Sequence, residues 1–274
     1  MLDASVRRPG ERVTRFQELR MNPVKRAIAS VFGVLLIFSC ASLPLVDDAQ
    51  MNKMGTEAFE DIKSKEQIET SAYLNKYVKC VANSILQVTQ DNTGVEQWEI
   101  VVFRNNAVNA FALPGGKIGV YTGLLQVAKN QHQLAAVIGH EVGHVIKQHG
   151  KARVQTAMVT EGLLSVVQGA SENPMVAQAL GLGAQYGVML PFSRSHETEA
   201  DEVGLKLMSM AGFDPQESVK LWQNMAAAGG NKPPELISTH PSDTTRIKDL
   251  QSNMADALAL RQAAQSQGKS PSCQ

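Results

Sequence analysis

Cysteine is scarce in this chain of 274 residues. Cys40, Cys80 and Cys273 are too few and too scattered for a disulfide-dense mini-fold or a Cys-rich zinc module. Aromatic residues make up only 5% and there are 11 prolines, which excludes a Pro-rich scaffold. Neither sign of charge prevails, with 26 basic residues against 26 acidic ones. A dedicated nucleic-acid binder normally carries a basic excess, so no nucleic-acid partner is expected. The cleanest apolar run, AIASVFGVLLIF at 27–38, has 12 residues, whereas a spanning helix needs about 20. What remains is 43% hydrophobic residues, enough to exclude wholesale disorder and to build a substantial core.

The apolar run follows Lys25 and Arg26 and ends at Ser39-Cys40-Ala41, the layout of a secretory signal. IFSC resembles a bacterial lipobox, which makes Cys40 the expected lipidation site. Plain cleavage and retention as an anchor are the alternatives. Asp3, Glu11 and Glu18 make residues 1–20 a poor signal start, whereas MNPVKR from Met21 is a better one. The sequence therefore predicts an extension at 1–20, a signal at 21–40, a tether at 41–56, a domain at 57–254 and a flexible tail at 255–274. The tail follows from its Gln, Ser, Gly and Pro content.

Within the domain, apolar residues at three-to-four spacing predict a helix over 57–90. WEIVVF (98–103) is a β-rich run, Asn105-Asn106 makes a turn before VNAFAL (108–113), and Pro114-Gly115-Gly116 leads into KIGVYTG (117–123), which predicts two short strands around a turn. Nearly everything from Leu124 to Met254 reads as helix. The fold class is therefore α+β and mostly helical. GLLSVVQGA (162–170) and VAQALGLGAQYGVML (176–190) are amphipathic cover near the site or membrane-contacting helices.

His140-Glu141-Val142-Gly143-His144 carries the chemistry. Asn130 can cap a helix on which His140 and His144 lie one turn apart on one face. Two imidazoles so placed can meet one zinc ion, and Glu141, rotated about 100° away, can act as general base. On this composition the pattern arises by chance in about one chain in a hundred. His149 lies about 140° round a continuous helix from His144, and His132 is about 12 Å along the axis from His140. Both are expected to stay out of the metal shell, with His149 a solvated helix-end residue.

SRSHETEAD (193–201) completes the pattern. Here the sequence resembles the zinc metallopeptidases typified by bacterial HtpX and the CaaX prenyl protease, in their soluble, lipoprotein-like branch. The resemblance implies a zincin-like fold, one zinc ion per chain, and His140, His144 and Glu197 as its ligands. Asp201 would orient a ligating histidine, and Glu199 is the rival ligand. His196 and Arg194 are expected in the cleft or in solvent. NAFALPGG (109–116) resembles the family's edge strand beside the cleft, so Asn109, Ala110, Phe111 and Ala112 are candidate substrate-binding residues; a plain core hairpin is the other reading. His240-Pro241 with Arg246 resembles the family's C-terminal element, which implies an oxyanion role for His240 and support from Arg246. A capping loop with a surface histidine is the alternative.

The implied function is endopeptidase action on unfolded or misfolded proteins in envelope quality control. The expected location is the periplasm, with a lipid anchor in a membrane, the outer one of a Gram-negative bacterium. A catalytically silent, chaperone-like lipoprotein on the same fold is the alternative. Pairing of Cys80 with Cys273, or burial of Cys80 as a hydrophobe, stays open, as does the oligomeric state.

Overall fold

The computed structural model describes residues 46–90, 93–95, 97–167, 192–228, 240 and 245–273. The expected signal at 21–40, Cys40, the 176–190 stretch and the side chains of 162–170 lie outside the described residues.

Helix α1 (Asp48–Lys65) starts where Asp47 forms a capping box with Gln50. Most of the expected tether is therefore helix. Its sequence looks polar because only a narrow stripe, Met51, Gly55, Ala58 and Phe59, is buried. The predicted helix at 57–90 is two helices. Between them Ile68 pairs antiparallel with Phe103, and the Glu69 N–H donates to the Val102 carbonyl at 2.8 Å. Ser71 then caps α2 (Ala72–Leu86). Periodicity continued through a break that a long-range backbone pairing creates.

Strands β1 (Glu99–Phe103), β2 (Ala110–Leu113) and β3 (Lys117–Tyr121) form one sheet in the order β1-β3-β2. β1 runs parallel to β3 and β2 antiparallel to it, so β2 is an edge, as the family resemblance implied. Side chains alternate across β2. Ala110 joins the main core, while Phe111 turns to the other face and packs with Phe59, Phe103 and Tyr121. Four of the chain's few aromatics thus fasten α1 to the sheet. The Phe111 side chain is therefore committed to this aromatic cluster.

After the short α3 (Leu124–Val127), Asn130 caps α4 (Gln131–Ile146), accepting from the His132 and Gln133 N–H groups. Helices α5 (His149–Val167), α6 (Arg194–Met210), α7 (Gln216–Ala228), α8 (Arg246–Ser252) and α9 (Met254–Ser266) follow. The core gathers Val78, Ile85, Val120, Leu134, Ile138, Met208, Phe213 and Leu221 from helices and sheet around α4.

The C-terminal segment is not a flexible tail. Residues 254–266 are helical, and Cys273 is buried and disulfide-bonded to Cys80 on α2, with a Cα–Cα distance of 5.6 Å. Gln131 holds the same segment, its amide donating to the Pro271 carbonyl and its oxygen accepting from the Cys273 N–H. Polar composition indicated disorder, but one covalent bond and a few backbone contacts suffice to anchor a short segment. The bridge closes a loop with a separation of 193 residues. Its removal in Cys273→Ser is expected to cost about 2–5 kcal/mol, because long loops lose the most chain entropy when closed. Urea unfolding with and without reductant checks this; coincident midpoints would refute it.

Candidate metal centre

Two helices make the site, and small residues let them touch. Gly139 and Gly143 on α4 face Ala200 and Gly204 on α6. A Cβ on Gly204 would lie 2.7 Å from the His140 backbone nitrogen, so the backbones approach more closely than any side chain allows. This crossing brings His140 and His144 against the first turns of α6. Ser193 caps that helix, accepting from the His196 N–H, and Glu197 sits in its first turn, where an anion is favoured.

The Nε2 atoms of His140 and His144 are 3.1 Å apart. His140 Nε2 is 3.4 Å from Glu197 Oε2, and His144 Nε2 is 3.4 Å from Glu197 Oε1. His240 Nδ1 is 3.2 Å from His140 Nε2 and 3.1 Å from Glu197 Oε1. Donors held at about 2.0–2.1 Å around a tetrahedral ion lie about 3.3 Å from one another. All four residues are buried, and each offers an atom within 4.8 Å of the others. The charges agree: among the described residues, Glu141, Glu197 and Asp201 are buried against one buried guanidinium, Arg246. Uncompensated buried carboxylates are costly, and a divalent cation would balance them. The residues present fit a metal ion.

Around this set, Asp201 Oδ1 accepts from His140 Nδ1 at 2.9 Å and from Arg246 Nη2 at 2.6 Å. Arg246 Nη1 reaches Glu197 Oε2 at 3.3 Å, and its guanidinium stacks 3.5 Å over Trp222. Phe192 stacks on His144 at 3.9 Å. The Ala112 N–H on the edge strand hydrogen-bonds Glu141. Glu141 Oε1 has no hydrogen bond and faces His240 Nε2 at 3.5 Å.

Burial pushes the Glu141 carboxyl above the usual carboxylate range, although His240 and His140 oppose it. Burial would also raise Glu197, but hydrogen bonds with His140, His144 and His240 hold it far below that range. Burial drives His144 well below the usual histidine value. His140 is raised to about 9, because Asp201 and Glu197 outweigh burial and Arg246.

Residues 72–254, about two-thirds of the chain, match peptidase family M48. The chain belongs to that family. Among relatives of this M48 chain, the mitochondrial metalloendopeptidase OMA1 of Schizosaccharomyces pombe is 33% identical over 217 residues, covering 77% of this chain and 63% of that protein. Metalloendopeptidase OMA1 of Bos taurus is 29% identical over 277 residues, covering 90% and 53%. The β-barrel assembly-enhancing protease of Yersinia pestis is 27% identical over 243 residues, covering 84% and 49%. The chain spans about half the length of the relatives it matches.

The structure thus brings His140, His144, Glu197, His240, Asp201, Arg246 and Glu141 to one place in the M48 domain. His240 is buried, not on the surface. Asn109 is buried, and Ala110 and Ala112 lie on the edge strand beside Glu141. His196 is half-buried, its ring stacked on that of His149, and Arg194 is exposed. Glu199 lies outside the donor set, paired to Lys147 and His149. His149 overturns the sequence reading: it is 2% exposed, not solvated. The M48 helix does not continue past Ile146, because Gln148 takes φ +55° and returns the chain towards the site. No glycine marks that reversal, so local sequence carried no signal for it. Trp222 beneath Arg246 and the glycine crossing were likewise missed, since both depend on which helices meet.

Proposed function

We propose that this chain is a zinc-dependent metalloendopeptidase hydrolysing peptide bonds of proteins, of the soluble, lipoprotein-like branch. The observation that carries the reading is Glu141 lying beside a buried His140, His144 and Glu197 donor set with one carboxyl oxygen unpartnered.

His140, His144 and Glu197 would hold the metal, and Asp201 with Arg246 fixes the outer side of His140. When bound, zinc acidifies water and polarises a carbonyl. Glu141, held by the Ala112 N–H and raised by burial, takes a proton from the attacking water and passes it to the leaving amine. In β2 the pairing parity turns the Ala110 backbone groups and the Ala112 carbonyl away from β3, the Ala112 N–H being taken by Glu141, and an extended peptide could add as a strand along that edge. Beside His144 a cavity of about 50 Å³, walled by Met51, Ala58, Leu113, Val154 and Phe192, suits an apolar substrate side chain.

A second reading, a latent or chaperone-like state, is favoured by His240. Its Nδ1 stands where a fourth donor would, and a catalytic site keeps one position open. Casein cleavage that chelator abolishes and zinc restores supports the enzyme. No cleavage by the zinc-loaded protein supports the latent state.

Metal affinity gives a pH test. His140, raised to about 9, is protonated at neutral pH, and a ligand must be neutral. Binding therefore releases a proton, and affinity rises roughly tenfold per pH unit up to about pH 9, then levels. Calorimetry in buffers of different ionisation heat measures it; no proton release at pH 7 would contradict the assignment.

The Cys80–Cys273 bridge supports an oxidising compartment, and the basic, apolar and Cys40 pattern supports a lipid anchor. We infer a periplasmic place at the outer membrane of a Gram-negative bacterium, with unfolded or misfolded proteins as substrates in envelope quality control. No helix among the described residues is long and apolar enough to cross a membrane.

A further inference from the structure

His149 is buried, lies outside the donor set, and has no part in the mechanism above. Its surroundings are specific. Helix α4 ends at Ile146, Gln148 adopts a left-handed conformation, and α5 begins at His149. This reversal places His149 Nδ1 2.9 Å from His144 Nδ1, the ring nitrogen facing away from the donor set. His149 Nε2 lies 3.1 Å from Glu199 Oε2, and Lys147 holds the other Glu199 oxygen at 2.7 Å. The His196 ring stacks on His149 at 4.3 Å, with the planes 15° apart.

We propose that His149, backed by Glu199, is the positioning residue for His144, fixing its tautomer and ring plane for metal binding. The inference rests on His144 being a metal ligand through Nε2. A neutral imidazole that ligates through Nε2 carries its proton on Nδ1. That N–H must donate, and His149 Nδ1 is the atom in reach. His149 Nδ1 is then the unprotonated nitrogen, its proton resides on Nε2, and Nε2–H donates to Glu199. Lys147 keeps the carboxylate turned inward. The opposite assignment, with His149 donating to His144 Nδ1, would put a proton on His144 Nε2 and block ligation.

The two histidine ligands therefore have unlike support. A buried carboxylate, Asp201, backs His140 directly, whereas a neutral ring relayed to a half-exposed carboxylate backs His144. Outer partners of this kind orient a ligand, and their loss typically weakens metal binding by roughly 10–100-fold.

The test measures zinc affinity of the full chain by competition with a chromophoric chelator, and the visible spectrum of the cobalt-substituted protein. His149→Phe keeps a ring to stack on His196 but has no acceptor. His149→Gln restores an acceptor oxygen. The expected results are a roughly 10–100-fold weaker zinc affinity and an altered cobalt spectrum for His149→Phe, with most of both recovered in His149→Gln. Wild-type affinity in His149→Phe, or no recovery in His149→Gln, would overturn the proposal. Should His149→Phe fail to fold, Glu199→Ala reads the same relay from a half-exposed position. Weakened zinc binding supports the relay, and wild-type binding overturns it. His144→Ala separates the two levels: if it keeps zinc, the ligand reading fails and takes this proposal with it. If it loses zinc while His149→Phe does not, the relay alone is wrong.

Discussion

Glu141→Gln is expected to retain one zinc ion per chain while losing about 10²–10⁴-fold in peptide-bond hydrolysis, the usual contribution of a positioned acid–base group. The substitution is nearly isosteric. Its amide oxygen can still accept from the Ala112 N–H, so the helix and the donor set stay in place. What disappears is the group able to take up a proton. The wild-type carboxyl is suited to the task because burial raises it from the range in which a carboxylate is too weak a base. Metal analysis and casein cleavage on the same zinc-loaded preparations read both halves of the expectation. Equal turnover by the two proteins would remove Glu141 from the role of base. Loss of the metal in Glu141→Gln would mean that it acts as a ligand.

The second large effect concerns the third ligand. Glu197→Ala should abolish both stoichiometric zinc binding and activity, because it removes an inner donor that approaches both His140 and His144. It also takes from the buried Arg246 one of its two carboxylate partners, leaving only Asp201. Thermal stability should therefore fall as well, since breaking a buried ion pair leaves charge uncompensated. Glu199→Ala touches only the outer relay, so it should still bind one zinc ion, more weakly. The pair of variants is decisive when zinc content is measured at saturating metal. A saturable site in Glu197→Ala with none in Glu199→Ala would reverse the assignment made from the ETEAD segment.

Much of this site could be read without a structure, because its main chemistry is local. HEVGH carries its own geometry: a helix with Asn130 at its cap presents His140 and His144 on one face, whatever it packs against. Likewise the four-residue step from Glu197 to Asp201 places both carboxylates on one side of α6. The turn signals between 103 and 117 delimited the strands, since Gly115 and Gly116 both adopt positive φ.

The errors arose where long-range contact overrides local pattern. Residues 48–56 look like a polar tether until Val154 covers Met51 and the Pro114 turn meets Gly55. Residues 254–273 look disordered until α9 docks on α6 and a bond to Cys80 closes the chain. His149 looks solvated until the chain reverses at Gln148, a residue with no intrinsic preference for that conformation. The sequence by itself thus determined the metal-binding helix and its two histidines, because these follow from spacing within one element, whereas Glu197 was supplied by the family resemblance. Only the tertiary structure decided which residues stand behind those donors, since that depends on how closely two glycine-lined helices approach and where a helix stops.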